Sequence, residues 1–192
     1  MATLRTRRSE RASAALAGVE ANCAARGVRL TPGRRSVLGL LLRAERPLGA
    51  YGLMERLRAA TRRPVAPPTV YRALDFLVRQ GFVHRVERLD AFAVCSAVAA
   101  GGDAHAHAPQ FLICRRCGAA LELHDPSVGR ALARAAARTG FAAGHAVVEV
   151  EGLCARCAAL PRARRRRATT SPDAPAPALT RRSRLARTSA ML

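Results

Sequence analysis

Pro67-Pro68-Thr69-Val70-Tyr71-Arg72-Ala73-Leu74-Asp75-Phe76-Leu77 reads as a helix with one face for a core and the other for a partner. Pro68 suits a first helical position, where the missing N–H has no acceptor. Val70, Leu74 and Leu77 recur at i, i+4 and i+7 and make one apolar stripe. Tyr71, Arg72, Asp75 and Arg79 lie off that stripe. Gln80-Gly81 closes the helix, because glycine takes the left-handed cap without strain. Taken alone, the stretch fits any amphipathic helix with a solvated charged face. Its neighbours decide the fold.

Upstream, residues 1–10 are rich in Arg and read as a loose N-terminus. A first helix is expected from about Arg11 to Arg26, with Ala15, Val19 and Cys23 inward. Thr31 is a good N-cap and Pro32 a good first residue for a second helix, whose stripe is Val37, Leu38, Leu41 and Leu42. Pro47 breaks that pattern, and a third helix carries Leu53, Met54 and Leu57. Downstream, Phe82 to Val86 and Ala91 to Cys95 have strand character, with a turn at Leu89-Asp90. Helices followed by a β-hairpin is the order of a winged helix, in which a late helix enters the DNA major groove. The exposed Tyr71–Arg72 pair supplies suitable chemistry: Arg bonds guanine edges bidentately, and Tyr contacts phosphate or a thymine methyl.

Residues 97–109 are small and Gly-containing and read as a hinge. Beyond it, strands at Phe111–Cys114 and Ala119–Leu123, a helix at Pro126–Thr139 and a strand at His145–Glu151 make a small α/β domain. Its open strand edges point to dimerisation. The expected fold is therefore α+β, with a winged-helix DNA-binding domain over 11–96 and a small α/β dimerisation domain over 110–160. Residues 161–192 hold a run of Arg among Thr, Ser, Pro and Ala, and read as a disordered basic tail.

The 192 residues carry a net charge of +20, from 33 basic and 13 acidic residues, which favours a polyanionic partner. Every basic residue is Arg and Ala abounds. That pattern also follows from a GC-rich coding sequence, so the placement of charge carries more weight than its amount. No secretory h-region and no apolar run of ~18 residues is visible. A cytoplasmic protein with no membrane partner is expected, and in that compartment six Cys lean towards metal or redox chemistry.

Cys114-x-x-Cys117 and Cys154-x-x-Cys157 are two knuckles whose four thiolates match tetrahedral structural zinc. No thioredoxin-like sequence surrounds either pair, which disfavours redox work. A second, looser set is His84, Cys95, His105, His107, Glu122, His124 and His145. From it, His84, Cys95, His107 and Glu122 would join the wing to the hinge and second domain, with mixed donors that suit Zn²⁺. Metal there would fix the angle between domains and so couple metal concentration to DNA affinity. A zinc deaminase is excluded, because neither its His-x-Glu nor its Pro-Cys-x-x-Cys is present, and no enzymatic activity is expected.

With these residues in view, the chain resembles the ferric uptake regulator family, most closely its zinc uptake regulator branch. The likeness runs from about Glu20 to Ala159. It is anchored by Arg29-Leu30-Thr31-Pro32, Pro67 to Leu77, Gly81-Phe82-Val83-His84 and the two knuckles. The resemblance implies a homodimeric repressor that binds an AT-rich inverted repeat in double-stranded DNA when loaded with zinc, and represses zinc-uptake genes. It implies two Zn²⁺ per subunit: a structural ion on Cys114, Cys117, Cys154 and Cys157, and a regulatory ion on His84, Cys95, His107 and Glu122. It places Tyr51 and Arg72 on the bases with Tyr71 nearby, and Asp75 in salt bridges between dimers. Asp103-Ala104-His105-Ala106-His107 departs from the His-His-Asp-His-like cluster of iron-sensing members, and nothing in the family carries over to the tail. His105 in place of His107, and a third site using His145, stay open. The alternatives are a family member sensing iron, manganese or peroxide, and a constitutive zinc-stabilised DNA-binding protein. The soft Cys95 ligand favours zinc among them.

Overall fold

The computed structural model describes residues 2–102, 108–144 and 146–160. The tail over 161–192 and the centre of the hinge lie outside them.

Four helices build the first layer: α1 (Ala2–Ala25), α2 (Pro32–Arg43), α3 (Ala50–Thr61) and α4 (Pro67–Arg79). The helix expected from Arg11 begins at Ala2, so the loose N-terminus expected over residues 1–10 is corrected. That stretch contains no Gly or Pro, and its Ala, Leu and Arg are among the better helix formers. Thr31 sits at the α2 cap position, but its side chain makes no capping bond. Helix α4 starts one residue earlier than expected, with both prolines in its first turn. Gly81, at φ 74°, ends it in the left-handed region, and its N–H reaches the Val78 carbonyl at 2.9 Å.

The predicted stripes meet in one core. Leu38 from α2, Leu53 from α3, and Val70, Leu74 and Leu77 from α4 are all buried, with Val19 and Cys23 of α1 closing one side. Arg34 lies over the Phe76 ring at 3.6 Å, a cation–π contact that covers the core's edge.

The wing is β1 (Val83–Val86) paired antiparallel with β2 (Ala91–Val94). A single 3-10 turn, Glu87–Leu89, joins them with Asp90 left-handed at φ 43°. Leu48 adds a bridge to Phe92, with N–H···O distances of 3.0 and 2.9 Å, so the wing has a third short member just after Pro47. A short helix α5 (Ser96–Ala99) follows, where the sequence had read hinge from residue 97.

The remaining elements are β3 (Gln110–Cys114), β4 (Ala120–Leu123), α6 (Pro126–Ala137), β5 (Val148–Gly152) and α7 (Ala155–Ala159). The last strand starts at Val148 rather than at His145. Strand β3 is central, antiparallel to β4 and parallel to β5. Asp125 caps α6 by accepting from the Ser127 N–H at 2.8 Å.

Register gives the two faces of this sheet opposite characters. Glu122, Phe111 and Glu149 form one row across β4, β3 and β5, and Ala120, Ile113 and Glu151 form the next on the same side. On this inner face Phe111 and Ile113 bury against Val86 and Ala93 of the wing. The wing is therefore packed on both sides, since Val83 and Phe92 belong to the helical core. The intervening row, Leu121, Leu112 and Val150, is exposed. Helix α6 buries no residue within the chain, although its pattern is amphipathic.

Candidate metal centres and nucleic-acid face

Strand ends deliver the four thiols. Cys114 ends β3, and Cys117 follows a turn closed by the Gly118 N–H to the Cys114 carbonyl at 2.8 Å, with Gly118 left-handed at φ 67°. Cys154 caps α7 and Cys157 lies within it. The Arg115 N–H bonds the Gly152 carbonyl at 2.9 Å, which locks the two knuckles side by side. The Arg116 guanidinium donates to the Cys157 and Leu160 carbonyls at 3.1 and 3.2 Å.

All four sulfurs lie within 4.8 Å of one another, and Cys117 Sγ and Cys154 Sγ are 3.8 Å apart. A tetrahedron with Zn–S bonds of ≈ 2.3 Å has an edge of about 3.8 Å, so the cage already has the size of a zinc thiolate site. The electrostatics agree. Backbone N–H groups, first that of Cys154, hold the Cys114 thiol down at about 6, while burial and then the neighbouring sulfurs push Cys157 up to about 12. Four thiolates this close need a cation to share their charge.

His84, Cys95 and Glu122 form the second cluster, again with donor atoms within 4.8 Å. Strand β1 carries His84, Cys95 caps α5, and β4 carries Glu122, so three separate elements meet. His84 Nε2 stands 3.1 Å from Glu122 Oε1, both nearly buried, and the imidazole edge rests on Phe111. Burial alone would lower the His84 pKa. Hydrogen bonds with Cys95 and Glu122 outweigh it and push the group up to about 9. Nitrogen, sulfur and oxygen donors in this set fit Zn²⁺.

His105, His107 and His145 lie outside the described residues. His124 is described: its Nε2 is 3.9 Å from Glu122 Oε1 and hydrogen-bonds the Ser96 hydroxyl. It is not part of the three-residue cluster. Sequence reasoning missed Ser96, whose backbone N–H donates to Glu122 Oε2 at 2.7 Å and leaves Oε1 turned towards His84. Nothing in the sequence signals a backbone donor of this kind.

Tyr51, in the first turn of α3, is 73% exposed, while Tyr71 in α4 is 42% exposed. Both line a cleft of about 470 Å³ with Asp75, Arg79 and Arg85. Arg72 is exposed on α4 but does not line this cleft. The three side chains predicted to meet DNA therefore project from the helical layer, with the wing beside them.

A family model described as the ferric uptake regulator family matches residues 25–151. The zinc uptake regulation protein of Escherichia coli (strain K12) is 46% identical over 143 residues, covering 74% of this chain and 80% of that protein. A solved zinc uptake regulator complexed with zinc and DNA superposes with a TM-score of 0.69 at 44% identity, covering 74% of this chain and 92% of the other. Holo XcZur gives 0.66 at 45% identity, covering 76% and 97%.

Proposed function

The chain belongs to the ferric uptake regulator family, and from that premise we propose that it is a zinc-responsive transcriptional repressor, binding operator DNA as a homodimer when zinc-loaded and repressing zinc-uptake genes. One observation carries the reading: His84 and Cys95, on the wing side, meet Glu122 of the sheet in a donor set suited to zinc.

Cys114, Cys117, Cys154 and Cys157 hold the structural ion. His84, Cys95 and Glu122, with His107 as fourth ligand, hold the regulatory one. Bound zinc supplies a dication that neutralises the Cys95 and Glu122 charges and joins wing to sheet. The residues do the rest. The Ser96 amide aims Glu122, Phe111 seats the imidazole, and His84 gives up its proton on loading. Wing and α4 then stay in the one orientation in which Tyr51, Tyr71 and Arg72 reach the DNA. The domain division at residues 97–109 follows from the same reading, as does action in the cytoplasm as a DNA-binding regulator rather than an enzyme. No helix among the described residues is long and apolar enough to cross a membrane.

The test is fluorescence anisotropy on DNA carrying an AT-rich inverted repeat, with free zinc buffered over several decades. Affinity is expected to rise about 5–150-fold on zinc loading, the range of ordinary coupling energies. Affinity indifferent to zinc while the thiolate site stays loaded would sink the proposal in favour of a constitutive DNA-binding role. A response to iron or manganese alone would reassign the metal.

The dimer rests on the outer face. Leu121, Leu112 and Val150 form an exposed aliphatic row, and α6 has no buried residue in its own chain. A second copy covering both is the economical solution to so much wetted apolar surface. Leu112→Asp puts a charge in the middle of that row. It is expected to give a monomer at micromolar concentration by light scattering, with both zinc ions retained.

A further inference from the structure

Glu122 and Glu149 flank Phe111 in the same row of the sheet, one on β4 and the other on β5. With strands ≈ 4.8 Å apart, their Cα atoms are roughly 10 Å apart. Both carboxylates grip the wing, at different points. Glu122 reaches His84 near the start of β1. Glu149 accepts the backbone N–H of Glu87 at 2.6 Å on one oxygen and that of Arg88 at 2.8 Å on the other. These two N–H groups belong to the 3-10 turn at the far end of β1. Glu151, one row along, receives the Arg88 Nε at 2.8 Å. Glu149, Glu151 and Arg88 lie outside the metal cluster.

We propose that Glu149 is a positioning residue for zinc sensing: a metal-independent latch that holds the wing tip on the sheet and leaves His84, Cys95 and Glu122 poised for the ion. This inference rests on the function proposed above. A single point of attachment leaves a hairpin free to pivot, whereas two points along one strand fix its orientation. The latch supplies the first point whatever the metal state, and zinc strengthens the second, where His84 already meets Glu122. A bidentate carboxylate on two adjacent N–H groups is a directional, charge-assisted contact. By linkage, anything that favours the docked wing in the absence of metal raises the affinity for both zinc and DNA.

The latch predicts a specific pattern. Glu149→Ala is expected to move the free-zinc midpoint of DNA binding about tenfold higher. The affinity reached at saturating zinc is retained, because the metal ligands then hold the wing. Zinc affinity without DNA, read by chelator competition, falls in parallel. Glu149→Gln keeps an acceptor oxygen and falls between the two. Arg88→Ala removes only an exposed ion pair and shifts the midpoint by less than about threefold. Zinc content of the thiolate site and dimer mass stay unchanged throughout. A midpoint within twofold of wild type in Glu149→Ala overturns the proposal. So does a loss of plateau affinity together with dimer or thiolate zinc, which marks a merely structural role. Amide hydrogen exchange on the full chain separates this from failure of the zinc reading. The Glu87 and Arg88 amides are protected in wild type with or without added zinc and lose protection in Glu149→Ala; exchange at free-turn rates in wild type refutes the latch by itself.

Discussion

Cys95→Ser is expected to leave DNA affinity at its zinc-free level at every free-zinc concentration. The wild type should exceed it by about 5–150-fold at saturation. The substitution is nearly isosteric, and the site is fully buried. The backbone around it is tied down independently: the Cys95 N–H bonds the Phe82 carbonyl at 3.0 Å and its carbonyl accepts the Ala99 N–H at 2.9 Å. A serine hydroxyl can replace the thiol as a hydrogen-bond partner of His84, so the fold should survive. It cannot replace a thiolate as a soft, anionic donor to zinc. Metal analysis should therefore find one zinc per subunit, held by the four thiolates, against two in the wild type. A zinc-dependent step persisting in Cys95→Ser would show that the sensing ion sits elsewhere, and attention would pass to the hinge histidines with His124.

Cys157→Ser should have a larger and different effect, on folding rather than on signalling. Among the described residues, the buried cluster at the sheet's inner face is Val86, Phe111 and Ile113, with Leu89, Ala93 and Ala120 partly buried against it, and Val86 comes from the wing. Such a small core does not stabilise three short strands without help. A structural zinc site contributes apparent free energies of ≈ 10–16 kcal/mol, which matches or exceeds the ≈ 5–15 kcal/mol total stability of an ordinary domain. Removing one thiolate also leaves three crowded sulfurs to share charge without a closed shell. The expected outcome is loss of thiolate-bound zinc, loss of the dimer by light scattering, and a melting curve in which the sheet no longer contributes. None of the four knuckle cysteines belongs to the α1–α4 core, which should still unfold cooperatively. A dimeric Cys157→Ser protein with wild-type melting would show that the knuckles are dispensable for the fold.

Much of this was legible in the sequence because it is encoded locally. Helical stripes such as Val70–Leu74–Leu77 depend only on a period of 3.6, and all three residues are buried. The C-x₂-C spacing likewise announces a metal knuckle wherever a strand ends, and the four sulfurs do converge. The cap at Gly81 was read well and the start of α4 missed by one residue, but the N-terminus was read poorly: a charge-rich stretch without breakers turned out helical.

Sequence by itself determined the main helices and strands and the two knuckles; beside His107, it offered His84, Cys95 and Glu122 as candidate donors. Tertiary structure alone decided how those donors face one another. It put Glu122, Phe111 and Glu149 in one row and Leu121, Leu112 and Val150 in the next. It gave Glu122 the Ser96 amide as its guide, and Glu149 a hold on the wing tip. The physical reason is register. A slip of one residue between strands exchanges the two faces of a sheet. That choice is made by packing between segments dozens of residues apart, with no trace in the local pattern of either.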